Sequence, residues 1–81
     1  MNVRFLLFAS YRDLVGAADG VLQLPQGATA GTAVAALRAR GGPWSTLPDR
    51  PVVAVNEEYA RLDRPLADGD ELALLPPVAG G

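Results

Sequence analysis

The chain contains no cysteine, no histidine and no lysine. Without Cys there is no disulfide, no thiolate nucleophile and no soft metal site. Without His, the commonest metal ligand and the usual proton shuttle near neutral pH are missing. Without Lys there is no Schiff-base amine and no side-chain amine to accept an isopeptide bond. The chain is therefore expected to be non-catalytic on its own, with no metal site and no bound cofactor. What remains is a binding surface, or chemistry at a chain end.

Charge is sparse and balanced. Seven bases, all Arg, stand against nine acids for a net charge of −2. No run of like charge and no basic patch suits a polyanion, so nucleic acid is not an expected partner. The opening apolar run, Phe5 to Ala9, is too short for a signal-peptide core or a bilayer span. No membrane association is expected, and a cytoplasmic location is. Eighty-one residues, 49% apolar and 20% charged, make one folded domain. Its core must be thin, because a chain this short buries only about 60% of its unfolded surface.

Residues 3 to 8 read as a β-strand in which Val3, Phe5 and Leu7 share one face and Arg4, Leu6 and Phe8 the other. Ser10 to Asp13 has the spacing of a capping box, opening a short helical turn that Gly16 can close. Residues 21 to 24 fit a second strand ended by Pro25. The main helix is expected from about Ala30 to Arg40, with Thr29 as N-cap. Ala30, Ala33, Val34 and Leu37 form its apolar stripe. Gly41-Gly42-Pro43 stops it, and Trp44 is expected in core or loop packing. The run Val52 to Asn56 reads as a strand covered on both faces. A turn follows at Asn56 to Glu58, with a short strand near Tyr59 to Leu62. Asp68-Gly69-Asp70 turns the chain into the last strand, Glu71 to Leu75, which Pro76 and Pro77 end. Two strands, one helix and two or three further strands give an α+β architecture. The expectation is a mixed sheet of four to five strands with one main helix on one face. A β-grasp (ubiquitin-like) roll is compatible with this order, as are other small α+β rolls.

Residues 1–75 form the expected domain, and 76–81 an extended, flexible tail. Pro76-Pro77 stiffens the exit from the sheet, and six residues span at most about 20 Å. Gly80 and Gly81 carry no side chains, so the terminal carboxylate can enter a channel too narrow for a Cβ.

The stretches Leu7–Gly16, Val53–Asn56 and Pro65–Glu71, with the ending Pro76-Pro77-Val78-Ala79-Gly80-Gly81, resemble the small subunits of molybdopterin synthase (the MoaD family). These belong to the wider group of ubiquitin-like sulfur carriers. The similarity runs nearly end to end. Two departures are modest: residues 17 to 27 match nothing diagnostic, and Leu74-Leu75 stands where an aromatic pair is common.

The resemblance implies a β-grasp fold and a specific chemistry. An ATP-dependent activating enzyme adenylates the Gly81 carboxylate, and a sulfur donor displaces AMP to leave a thiocarboxylate. The ATP is consumed by that enzyme. The tail then enters the large synthase subunit, in an assembly of two small and two large subunits, and donates sulfur to cyclic pyranopterin monophosphate. Alternatives are a sulfur carrier for thiamine, tRNA thiolation or cysteine synthesis, or a ubiquitin-like protein modifier. Strand parity makes Phe8, Tyr59 and Leu75 candidate interface anchors, with Arg12 as a polar contact. The competing expectation is that they complete the domain's own core. Asp68, Asp70 and Glu71 read as turn-formers and a solvated strand start, or as contacts for basic residues of the activating enzyme.

Overall fold

The computed structural model describes residues 1–77. Its elements are β1 (Asn2–Leu7), α1 (Ala9–Val15), β2 (Asp19–Gln23), α2 (Ala30–Arg38), a 3-10 turn (Gly42–Thr46), β3 (Val52–Val55), β4 (Glu58–Ala60) and β5 (Glu71–Leu75). Together β2, β1, β5, β3 and β4, in that order, make one five-stranded sheet. The central pair β1 and β5 is parallel, and the other pairs are antiparallel. This is the α+β, β-grasp arrangement that the order of elements suggested.

Parity sorts the sheet into two unlike faces. Val3, Phe5 and Leu7 of β1, Val53 and Val55 of β3, and Leu72 and Leu74 of β5 are all buried in one core. Ala30, Ala33, Val34 and Leu37 of α2 complete that core, each with no exposed surface. Each large side chain so placed contributes about 1.5–3 kcal/mol through removal from water. Helix α2 opens on a reciprocal cap in which Thr29 and Thr32 exchange side-chain and backbone hydrogen bonds. At its other end the Arg38 Nε donates to the Leu47 carbonyl at 2.8 Å, fastening the 3-10 turn. Trp44 is half-buried against the core, its ring edge-on to Phe5 at 5.7 Å. The Arg40 guanidinium lies 5.1 Å from the Phe5 ring and 4.7 Å from the Trp44 ring.

Four local expectations are corrected. Ser10 is not a helix cap, since α1 begins at Ala9 with Phe8 as an N-cap lacking any side-chain hydrogen bond. Phe8 keeps the extended backbone of β1, and its carbonyl takes the Tyr11 and Arg12 amides. The strand end therefore sets the turn. Helix α2 stops at Arg38, with Ala39 as C-cap, so Arg40 lies beyond it.

The strand after the β3 turn is Glu58–Ala60 rather than 59–62. Beyond it the backbone serves α2 instead of the sheet. The Leu62 carbonyl accepts from the Gly31 amide at 2.8 Å, and the Arg64 carbonyl from the Ala30 amide at 2.9 Å. These are first-turn donors with no partner inside the helix. A Cβ on Gly31 would stand 3.2 Å from the Leu62 oxygen, which accounts for a glycine in a first turn. Finally, the second face of β3 is covered only in part: Val53 and Val55 are buried in the core and Ala54 is buried on the opposite face, while Val52 beside it is half exposed.

Gly20 on β2 faces the Phe5 ring, and a Cβ there would fall 2.6 Å from its Cζ. Phe5 is fully buried and braced by Trp44, so the ring has little room to retreat. Gly20→Ala is expected to destabilise the fold by about 1–3 kcal/mol, measured by urea unfolding. An unchanged midpoint would show that the ring moves freely.

Candidate functional site

The face of the sheet turned away from α2 carries large apolar side chains that nothing in the described chain covers. Cross-strand pairing arranges them in rows. Leu6 of β1, Ala73 of β5, Ala54 of β3 and Tyr59 of β4 are consecutive register partners. One step toward the end of β5, Leu75 pairs with Val52, and Phe8 continues β1 on the same face as Leu6. One step the other way, Glu71 stands beside Arg4, and Glu57 lies in the β3–β4 turn.

The middle row has two alanines between two larger residues, and this makes a hollow. It holds about 300 Å³. Ala54 and Ala73 are its floor, Leu6 and Tyr59 its flanks, Phe8 and Leu75 its wall nearest the tail, and Glu57 and Glu71 its far lip. Tyr59 is 81% exposed and Phe8 44%, large values for aromatic groups. An apolar patch of this kind, rimmed by charge, is what a protein interface presents.

The far lip is held by a polar frame built from the acids of the Asp68 to Glu71 turn. Asp68 accepts from the Asn2 amide, and Asp70 accepts from the Ala67 amide at 2.8 Å and from Asn56 Nδ2 at 2.9 Å. The Asn56 Oδ1 in turn takes the Glu71 amide at 3.0 Å. The Ala67 amide, helped by Asn56 and by the charge of Arg64, holds the Asp70 carboxyl below its ordinary pKa against a small opposing effect of burial. Asp68 and Asp70 are thus turn-formers, as their spacing suggested. The Glu71 side chain takes no part in this frame.

The predicted anchors Phe8, Tyr59 and Leu75 come together around the one hollow. Arg12 does not join them; its Nε stands 3.8 Å from Asp13 on α1, away from the lining. Tyr11, one residue earlier, is buried, and burial raises its hydroxyl pKa. Pro76 is half-buried and Pro77 exposed where the chain leaves the Leu75 wall. Gly80 and Gly81 lie outside the described residues. Sequence reasoning missed the two floor alanines and Glu57. Alternation within Val52–Val55 was the available signal, and a continuous apolar run masked it.

No buried side chain among the described residues is charged, and no group of three or more acids there can hold a metal ion. No described helix is long and apolar enough to cross a membrane. What the described site offers is an exposed apolar contact surface with an acidic lip. The ThiS family model matches residues 5–81.

The chain belongs to the ThiS family.

Within this ThiS-family group it is similar to the molybdopterin synthase sulfur carrier subunit of Escherichia coli K12. The two are 38% identical over 87 residues, covering 98% of this chain and 99% of the relative. The subunit of that name from Arabidopsis thaliana is 33% identical, covering 100% of this chain and 84% of its own length. Among solved structures, the Haloferax volcanii small archaeal modifier protein 1 is 34% identical with a TM-score of 0.73. That match covers 95% of this chain and 98% of the other.

Asp70→Ala is expected to cost about 1 kcal/mol at neutral pH. A folded-state pKa below the unfolded value of about 3.9 gives stability that is present above that value and lost as pH falls through the folded one. The gap between wild type and variant should therefore close in urea titrations carried down to about pH 2. A gap that persists there would exclude the carboxylate as its source.

Proposed function

We propose that this ThiS-family chain is the sulfur carrier of a molybdopterin synthase, working through the carboxylate of Gly81. The observation that carries the reading is the placing of an uncovered apolar hollow beside the exit of the Gly-Gly tail. The relatives named as molybdopterin synthase sulfur carrier subunits, similar over nearly the whole chain, support it.

A carboxylate is a poor electrophile, so the Gly81 carboxylate first attacks the α-phosphorus of ATP on an activating enzyme. Pyrophosphate leaves and an acyl-adenylate forms. A sulfur donor displaces AMP, and the resulting thiocarboxylate is a soft anionic nucleophile. Phe8, Tyr59 and Leu75 then seat the domain on the large synthase subunit. Pro76 and Pro77 carry the chain away from the sheet, and the glycines let the sulfur reach cyclic pyranopterin monophosphate. The chain is a subunit and a consumed co-substrate, reloaded after each transfer. It contributes no acid–base group, which the large subunit supplies. The working assembly is a heterotetramer of two small and two large subunits in the cytoplasm. Absence of cysteine suits the scheme, because no thiol of this chain competes for sulfur.

A second reading has its own observation. Similarity to small archaeal modifier protein 1 favours an additional role as a protein modifier joined through Gly81 to lysines of other proteins. Higher-mass conjugates in cells, lost on deletion of Gly81, would distinguish that role from sulfur carriage alone.

Incubation with the activating enzyme, ATP and sulfide should add the mass difference of one oxygen replaced by one sulfur, read by intact-mass spectrometry. The shift should vanish when Gly81 is deleted. An unchanged mass with an active enzyme would overturn the carrier reading. Tyr59→Ala should alter stability by no more than about 0.5 kcal/mol, since the ring is so exposed. It should nevertheless weaken binding to the large subunit about tenfold, the range of an interface anchor. Equal affinity would remove Tyr59 from the docking surface.

A further inference from the structure

One of the two carboxylates on the lip is held there at a conformational cost. Asn56 and Glu57 are the central residues of the two-residue β3–β4 turn, with φ of 50° and 71°. Asn tolerates this left-handed region, and glycine is the residue that suits the second position of such a hairpin. A glutamate there is strained by contact between its Cβ and the backbone. Its side chain gains nothing inside the described structure, where it enters no ion pair or side-chain hydrogen bond. Glu71 is likewise unpaired there. Arg4 is its register neighbour, yet the Arg4 guanidinium turns to Asp19 Oδ2 at 3.3 Å.

Both carboxylates border the same apolar hollow, whose alanine floor lies lower than its Leu6 and Tyr59 flanks. We propose that this hollow receives one arginine or lysine side chain of the docked large subunit. Its aliphatic stem lies over Ala54 and Ala73, and its charged head ends between Glu57 and Glu71. Long basic side chains bury their stems on apolar surface while the head stays polar, and this hollow offers both environments in that order. Retention of a strained glutamate where glycine would relax the turn is what a contact made only in the complex would require. The inference rests on the docking reading above and names the chemistry of its central contact.

A second copy of this chain is the poorer occupant. It has no lysine. Of its seven arginines, Arg4, Arg12 and Arg61 stand beside aspartates, Arg38 donates to a carbonyl and Arg40 lies on two aromatic rings, which leaves only Arg50 and Arg64 without such a contact among the described residues.

The test measures calorimetric affinity of the full chain for the large synthase subunit encoded in the same genome, at low and at moderate salt. Wild type is compared with Glu57→Gly, Glu71→Gln and the double variant. Glu57→Gly relaxes the turn, so its thermal midpoint should rise by a few degrees while its affinity falls. A loss of affinity then has no origin in misfolding. The double variant should bind about tenfold more weakly and lose most of the salt dependence seen for wild type. Wild-type binding that none of the three variants alters, at either salt, would overturn the receptor and leave the docking reading standing. No binding by wild type would overturn both. A dimer of the chain alone, blocked by these substitutions in sedimentation, would give the hollow to a second copy and overturn the assignment.

Discussion

The parallel pairing of β1 with β5 is the constraint on which the rest of the structure depends. It joins residues from the two ends of the chain, Arg4 through Leu7 against Glu71 through Leu74, at the centre of the sheet. Parallel neighbours cannot be joined by a tight turn and need a long crossover between them. Helix α2 and the β3–β4 hairpin occupy that crossover. Helix α2 packs on the inner faces of both strands, where Phe5, Leu7, Leu72 and Leu74 meet, and the hairpin extends the sheet beside β5. The same pairing delivers the start of α1 and the root of the tail to one end of the sheet, so Phe8 and Leu75 become neighbours on the outer face.

The two faces are then asked to do opposite things. The inner face is closed and stabilising, with α2 laid across it and no charged group inside among the described residues. The outer face is apolar without being covered, a state that costs solubility and stability in isolation and is useful to a protein that spends its time docked. Small residues at the middle of that face matter as much as the large ones around them. Ala54 and Ala73 pair with each other across β3 and β5, and their shortness turns a flat patch into a hollow with an acidic lip.

Chemistry and support are thus separated within a short chain. In the proposed function the working atom belongs to Gly81, at the end of a sequence with no side chains in its last two positions, and the domain supplies the docking surface. The frame of Asn56, Asp68 and Asp70 ties the β3–β4 turn and the start of β1 to the start of β5, so the two carboxylates of the lip stand on one hydrogen-bonded support.

Much of this was legible in the residues themselves. The alternation in β1, the stripe Ala30, Ala33, Val34 and Leu37, and the turn at Asp68 to Asp70 follow from steric periods that any context preserves. The Pro-Pro and Gly-Gly ending, with the missing Cys, His and Lys, raised the expectation of chemistry at the chain end, and Gly80 and Gly81 lie outside the described residues. The tertiary structure alone decided the remainder. It moved the start of α1 to Ala9, since a strand carbonyl outcompeted the Ser10 hydroxyl. It ended β4 at Ala60, since the carbonyls of Leu62 and Arg64 were needed by the first turn of α2. It also left the outer face of β3 without a second layer, so that Val52 is half exposed while the small Ala54 is buried among its neighbours, because an unbroken apolar run is the same in sequence whether or not a layer exists to cover it. Local periodicity records which residues share a face, and only packing of distant segments settles what that face meets.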